Sequence, residues 1–252
     1  MSRSLRVSCI FARAWPILGL LAVAAPHSAG LAADAPSEAG EHSAGDEPAG
    51  AIVAGTITYQ PDPRRPWRYG RYYIAQRATG ELAEAVVCLD GPSLKNFPAP
   101  KEPSELVLDQ KDFRFVPETA AIRAGDRIRF TNSDPQAHNV SSGSLVHRFD
   151  FTIAAMQEHT EVFPKAGGIR RPLILGCKFH SVMRGWIFIF PHSLYAVTQA
   201  DGRYRLAGVP PGDYTLHIAH PAGGLKTSRR LTVTAMQAPL TEDVALGPDQ
   251  MR

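Results

Sequence analysis

The chain has 252 residues, with 27 Lys plus Arg against 24 Asp plus Glu, and three cysteines. Its 44% hydrophobic and 20% charged content is that of a globular protein, which excludes a largely disordered chain and allows two small cores. Glycine and proline, 21 of each, favour short strands and turns over long helices.

At the N-terminus, Arg3, Arg6 and Arg13 precede an apolar run from Trp15 to Ala25, and small residues follow. This is the order of a secretory signal peptide, so residues 1–33 are expected to direct export to the periplasm or beyond. Cleavage after Ala24 or Ala32 suits the small-residue rule. The run is too short for a membrane anchor, which needs about 20 apolar residues, so no stable membrane insertion is expected after cleavage. Removal leaves 24 of the 27 basic side chains against 24 acidic ones. The basic balance is then no argument for nucleic acid. Cys88 and Cys177 remain, and an exported pair suggests a disulfide by default.

Residues 34–49 are small, acidic and rich in Pro and Gly, and read as a disordered linker. From Ala51 short alternating runs begin. Ile52–Tyr59 and Glu84–Leu89 are expected strands, separated by an Arg- and aromatic-rich segment, Arg64 to Tyr73. That segment is either a solvated insertion or a docking patch for an acidic redox partner. A Pro-interrupted loop spans residues 92–104. Strand signal is densest over 105–190: Glu105–Leu108, Ala120–Arg123, Arg127–Asn132, Thr160–Phe163, Leu173–Leu175 and Trp186–Phe190. Beyond it come Tyr195–Thr198, Arg203–Leu206, Asp213–Ile218, Leu231–Thr234 and Val244–Leu246. Many strands and no helix longer than two turns predict an all-β protein of two β-sandwiches.

The loop CKFHSVM sets Cys177, His180 and Met183 at three-residue steps between two strands, and His138 follows the turn Asn132-Ser133-Asp134-Pro135. A thiolate, two imidazoles and a weak thioether are the donor set that suits copper in both oxidation states. Taken singly, each residue also fits a structural role: a buried or disulfide-bonded Cys177, a surface His180, a core-filling Met183. His147 and His159 are expected on solvated strands or turns. His192, His217 and His220 form at most a second, weaker metal candidate. Cys88 reads as a small buried hydrophobe.

Residues 105–190 resemble a cupredoxin domain, a Greek-key β-sandwich, and most closely the amicyanin type. The matching stretches are Ala124–Ile128, His138-Asn139-Val140, Phe163–Gly167 and CKFHSVMRG from Cys177 to Gly185. The resemblance implies one type 1 copper ion held by His138, Cys177 and His180, with Met183 as axial ligand. It also implies that Asn139 ties the two ligand loops, its N–H reaching the Cys177 sulfur. His180 would be the electron port, ringed by Phe179, Val182 and Trp186. The pattern departs from the family at Ser181, where amicyanin has Pro, at Leu175-Gly176 and at Arg170-Arg171-Pro172.

Residues 195–218, YAVTQADGRYRLAGVPPGDYTLHI, resemble the carboxypeptidase regulatory-like, transthyretin-like sandwich. The opening strands of that module fit Gly55-Thr56-Ile57 and Ala85-Val86-Val87, which lie ahead of the cupredoxin stretch. The expected layout is a discontinuous smaller sandwich, 50–98 with 191–248, around an inserted cupredoxin domain, 105–190. Two sequential domains are the alternative. The whole is similar to bacterial methylamine-utilisation or plastocyanin-like proteins.

These resemblances imply single-electron transfer with a periplasmic partner such as a c-type cytochrome or a dehydrogenase. Copper sequestration or delivery, and a surface interaction module with a non-redox copper site, are the alternatives. No enzyme is expected: Cys177 lies between Gly176 and Lys178, without the neighbouring His that relays electrons to a second copper centre, and no other catalytic constellation stands out.

Overall fold

The structure, a computed structural model, describes residues 50–60, 73–98, 100–235 and 239–248. The expected signal peptide, the linker and all but Tyr73 of the 64–73 patch lie outside these residues. Two strands precede the central stretch, β1 (Ala51–Tyr59) and β2 (Val86–Asp90). Between residues 105 and 190 follow β3 (Glu105–Lys111), β4 (Arg114–Val116), β5 (Thr119–Arg123), β6 (Arg127–Asn132) and β7 (His138–Ser142). This stretch continues with β8 (Phe149–Ile153), β9 (Glu158–Val162), β10 (Leu173–Gly176) and β11 (Arg184–Phe190). The remainder carries β12 (Tyr195–Val197), β13 (Arg203–Val209), β14 (Gly212–His220), β15 (Leu225–Val233), β16 (Leu240–Thr241) and β17 (Val244–Leu246). The protein is all-β; among the described residues the one helical element is a 3-10 turn, Pro92–Leu94. None is long and apolar enough to cross a membrane.

The strands form four sheets. The central stretch builds two, ordered β5-β11-β10-β7-β8 and β4-β3-β6-β9, which enclose one core around Phe115, Phe130, Phe163 and Leu173. The flanking stretches build the other two, β13-β1-β16 with β17 on β1, and β12-β2-β14-β15, around Tyr59, Leu82, Leu89 and Leu216. Strands from before and after the central stretch thus share sheets: Gly55 pairs with Tyr204, and Cys88 with both Tyr195 and His217.

The run RGWIFIF in β11 is apolar at every position from Trp186 to Phe190 because the strand is covered on both faces. Ile187 and Ile189 enter the inner core, while Phe188 and Phe190 face a seam against Val86, Cys88 and Ala219 of the outer sandwich. Strands β2 and β5 alternate in the same way, with Val87 and Leu89 or Ala120 and Ile122 in a core, and Val86 and Cys88 or Ala121 in the seam. Burying a side chain of Phe188's size contributes roughly 1.5–3 kcal/mol. Cys88 is a seam residue, and burial pushes its thiol up to about 12. The disulfide that an exported pair suggests by default is not formed: Cys88 and Cys177 are both free, one in the seam and one in the inner core.

Turn chemistry follows local need. Gly202, between β12 and β13, adopts a φ of 69°, and a Cβ there would lie 2.5 Å from the Ile57 carbonyl oxygen. The expected strand at 160–163 begins earlier, at Glu158. Its side chains are all at least partly exposed, so hydrophobic alternation marks its start weakly.

His220 is fully buried; its Nδ1 accepts the Gly223 N–H at 3.0 Å and its ring meets Tyr73 edge-on at 4.6 Å. Burial pushes its imidazole from 6.5 down to about 4, and burial lowers His192 and His217 as well. A group depressed in the folded state stabilises above its unfolded value and loses that contribution as pH falls toward the folded one. Urea denaturation should therefore show constant stability above about pH 7 and a decline from pH 6.5 toward 4. The His220 share of that decline is on the order of 3 kcal/mol, and His220→Asn should flatten the slope.

Candidate metal centre

The first ligand candidate is set by a turn. Asn132 ends β6 and is buried, and its amide nitrogen donates to the carbonyls of Gln136 (2.8 Å) and Ile153 (3.1 Å). Its Oδ1 accepts the Asp134 N–H at 3.0 Å, so the chain reverses tightly and delivers His138 to the start of β7.

Asp134 is the centre of this turn. Its Oδ1 accepts the Asp112 N–H at 2.8 Å, and its Oδ2 accepts the Phe113 N–H at 3.0 Å and lies 2.7 Å from His138 Nε2. Burial works against charge on this carboxyl. The N–H groups of Phe113 and Asp112, with the His138 ring, outweigh that and hold it below its ordinary value. A carboxylate only accepts, so His138 Nε2 carries the proton and donates it. The Nδ1 lone pair of this fully buried ring then points the other way.

It points at the second loop. His138 Nδ1 lies 3.0 Å from His180 Nδ1, and His180 Nδ1 lies 3.7 Å from Cys177 Sγ. The Asn139 N–H donates to Cys177 Sγ at 3.3 Å. The Asn139 side chain joins the loops: its Oδ1 accepts the Lys178 N–H at 3.3 Å, and its Nδ2 donates to Asp150 and to the Phe151 carbonyl. Lys178 and Asp150 pair across the same gap. The loop is closed by the Met183 N–H donating to the His180 carbonyl at 3.1 Å. The Met183 side chain is 2% exposed and belongs to the same buried cluster as Cys177.

Phe113 roofs the cluster, with its ring 5.6 Å from that of His138 and 4.9 Å from that of His180, edge-on to both. Phe179 and Val182 are exposed on the loop that carries His180, with the Phe179 ring 6.4 Å from the imidazole. Trp186, expected beside His180, instead packs into the seam between the sandwiches.

Among the described residues, His138, Cys177 and His180 are the group of three metal-capable side chains whose donor atoms all lie within 4.8 Å of one another. Separations of 3.0 and 3.7 Å fit pairs of donors bonded to one small divalent ion at about 2.0–2.3 Å, the lengths of nitrogen and sulfur bonds to such an ion. One thiol and two imidazoles, the His138 lone pair turned toward the other two, are a donor set that fits a soft or borderline cation such as copper. The other histidines do not converge in this way. His147 and His159 are part-exposed and take separate oxygens of Glu161, at 2.7 and 3.3 Å. His192 accepts the Leu194 N–H, and His217 lies 4.0 Å from Asp90.

Asp134, Asp112 and Phe113 do not emerge from the sequence as site residues. The available signal is the four-residue step from Asp134 to His138 within a turn.

Residues 190–247, which span β12 to β17, match the family model of the carboxypeptidase regulatory-like domain. No curated protein sequence matches the chain. Among solved structures, the chain is similar to the Cu-containing nitrite reductase (NirK) from Thermus scotoductus SA-01, at 19% identity over 39% of this chain and a TM-score of 0.31. It spans 26% of that reductase's length. It is also similar to amicyanin from Paracoccus versutus (Thiobacillus versutus), at 19% identity over 40% of this chain and 96% of that one, with a TM-score of 0.30.

Exchanging Asp134 for Asn replaces an obligate acceptor with a group that also donates, so His138 no longer has one enforced tautomer. Partners of metal-bound histidines typically govern affinity by about 10–100-fold. Asp134→Asn should weaken Cu(I) retention by that factor in competition with a chromogenic chelator.

Proposed function

We propose that the protein is an exported type 1 copper protein that passes single electrons between periplasmic redox partners. The observation that carries this reading is the convergence of His138 Nδ1, His180 Nδ1 and Cys177 Sγ, with the first imidazole fixed in tautomer by Asp134. His138, Cys177 and His180 would hold the ion, and Met183 would supply a weak thioether. A bound copper supplies a one-electron couple. The residues of the chain keep the donors in place, so that little has to move when the charge changes. Asn139 restrains the thiolate through its N–H and joins the two loops. His180 is the electron port; Phe179, Val182 and Phe113 offer apolar surface around it to a partner such as a c-type cytochrome or a dehydrogenase. No catalytic step is assigned, because Cys177 lacks a neighbouring histidine to relay electrons onward. Export rests on the signal-like order of residues 1–33.

The experiment is direct. Purified protein mixed with Cu(II) should develop an intense visible thiolate-to-copper band, and Cys177→Ser should abolish it. A colourless, copper-free wild type would defeat the assignment.

Copper delivery is a second reading, favoured by a specific observation. A cleft of about 590 Å³ opens beside the two sulfur residues, Cys177 and Met183, with Ile174, Pro172 and Arg184 among its walls. A carrier would hand Cu(I) to an acceptor and give no reversible voltammetric wave.

The same reading treats 105–190 as a domain inserted into an outer sandwich made of 50–98 and 191–248. Proteolysis confined to residues 99–104 should then leave the two outer pieces bound to each other in gel filtration. Two sequential domains would release the N-terminal piece.

A further inference from the structure

The sandwiches meet at more than the apolar seam. Tyr73, in the outer sandwich, donates its hydroxyl proton to Glu118 Oε2 at 2.5 Å. Glu118 lies between β4 and β5 of the inner sandwich. Its Oε1 accepts from Arg114 Nε and Nη2 at 3.0 and 2.6 Å. Its N–H donates to Glu84 Oε1 of the outer sandwich at 3.3 Å, and its carbonyl accepts the Trp186 N–H at 2.8 Å. Gly185 passes so close that a Cβ there would lie 3.0 Å from the Glu118 carbonyl oxygen. The first residues of β11, which begins directly after Met183, thus rest on Glu118 through Gly185 and Trp186.

From Arg114 the path runs to the metal centre. Lys111 pairs with Arg114, so Asp112 and Phe113 form the two-residue turn of the β3–β4 hairpin, at φ of 54° and 57°. Such turns favour Asn-Gly or Asp-Gly, because both positions are left-handed. A phenylalanine there is strained, and strain of this kind persists where the surroundings over-determine it. Here both turn N–H groups are held by Asp134, and the Phe113 ring lies against both imidazoles. A shift of the hairpin therefore moves the carboxylate that fixes the His138 tautomer and the ring that abuts His180.

We propose that Tyr73 and Glu118 are positioning residues of the metal centre, through which the outer sandwich sets the geometry of His138 and His180. Apolar contacts already join the sandwiches. Burying a tyrosine and partly burying two glutamates beside them costs desolvation, and the return is a fixed hairpin position. The inference rests on the reading of His138 as a metal ligand, and one of its two readouts needs no metal.

The test uses the full chain and three variants: Tyr73→Phe, Glu118→Gln and Leu231→Ala. Leu231 is a core residue of the outer sandwich with no part in the path. In the metal-free protein, long-range proton–nitrogen spectra read the ring nitrogens of His138. In the copper-loaded protein, the visible band and the reduction potential are measured. Tyr73→Phe and Glu118→Gln should shift the His138 nitrogen signals, the band and the potential, with the backbone circular dichroism unchanged. Leu231→Ala should lower the melting temperature and leave those signals at wild-type values. Wild-type His138 signals in both Tyr73→Phe and Glu118→Gln overturn the proposal, as does an equal shift in Leu231→Ala. Failure of the wild type to bind copper defeats the electron-transfer reading alone, and the nitrogen comparison still decides this one.

Discussion

The centre depends on one buried carboxylate. Asp134 accepts two backbone N–H groups and one imidazole N–H, and each bond fixes something different: the turn at 112–113, the roof formed by Phe113, and the protonation of His138. An ionised carboxylate so enclosed is tolerable only because these donors replace its water. A protonated or amide group in its place would have to donate as well as accept, and every partner here already donates. The lone pair that His138 turns toward Cys177 and His180 is thus set two bonds away, by a residue that touches neither.

The second organising feature is strands with two apolar faces. In β11 the odd positions, Ile187 and Ile189, fill the inner core, and the even ones, Phe188 and Phe190, fill the seam. In β2, Val87 and Leu89 enter one core while Val86 and Cys88 enter the seam. The seam sets small residues, Cys88 and Ala219, against the two phenylalanine rings, with Ala121 paired beside Phe188 in the same sheet as the rings. That alternation of large and small lets two sheets approach without leaving voids.

How far the sequence was legible varies with how local each cause is. The spacing of Cys177, His180 and Met183 is a property of seven consecutive residues, so the motif can be read directly. The strand β6 was legible because its burial alternates, and β11 because it is apolar throughout. Phe113 was hidden because a phenylalanine at a left-handed turn position breaks the rule by which such turns are recognised, and what holds it there is a side chain 21 residues away. Asp134 was hidden because a turn aspartate is ordinary until its second oxygen is seen to reach an imidazole. Cys88 was legible as buried, but its reason, the seam, requires both sandwiches. Tyr73 and Glu118 come from different sandwiches, and no local pattern announces a bond between them.

Pairing across the central stretch also governs how such a chain assembles. The antiparallel partner of β1 is β13, and Thr56 waits for Arg203, with the whole inner sandwich synthesised in between. Loop-closure entropy makes a contact of that sequence separation slow to form, while β3–β11 close among themselves over shorter spans. During that interval β1 and β2 expose unpaired edges rich in valine and isoleucine, the surface that self-associates in a crowded nascent state. Closing the inner sandwich shortens that exposure, because Ser104 and Phe190 both bond the 124–126 turn, through Asp126 Oδ1 and the Ala124 N–H.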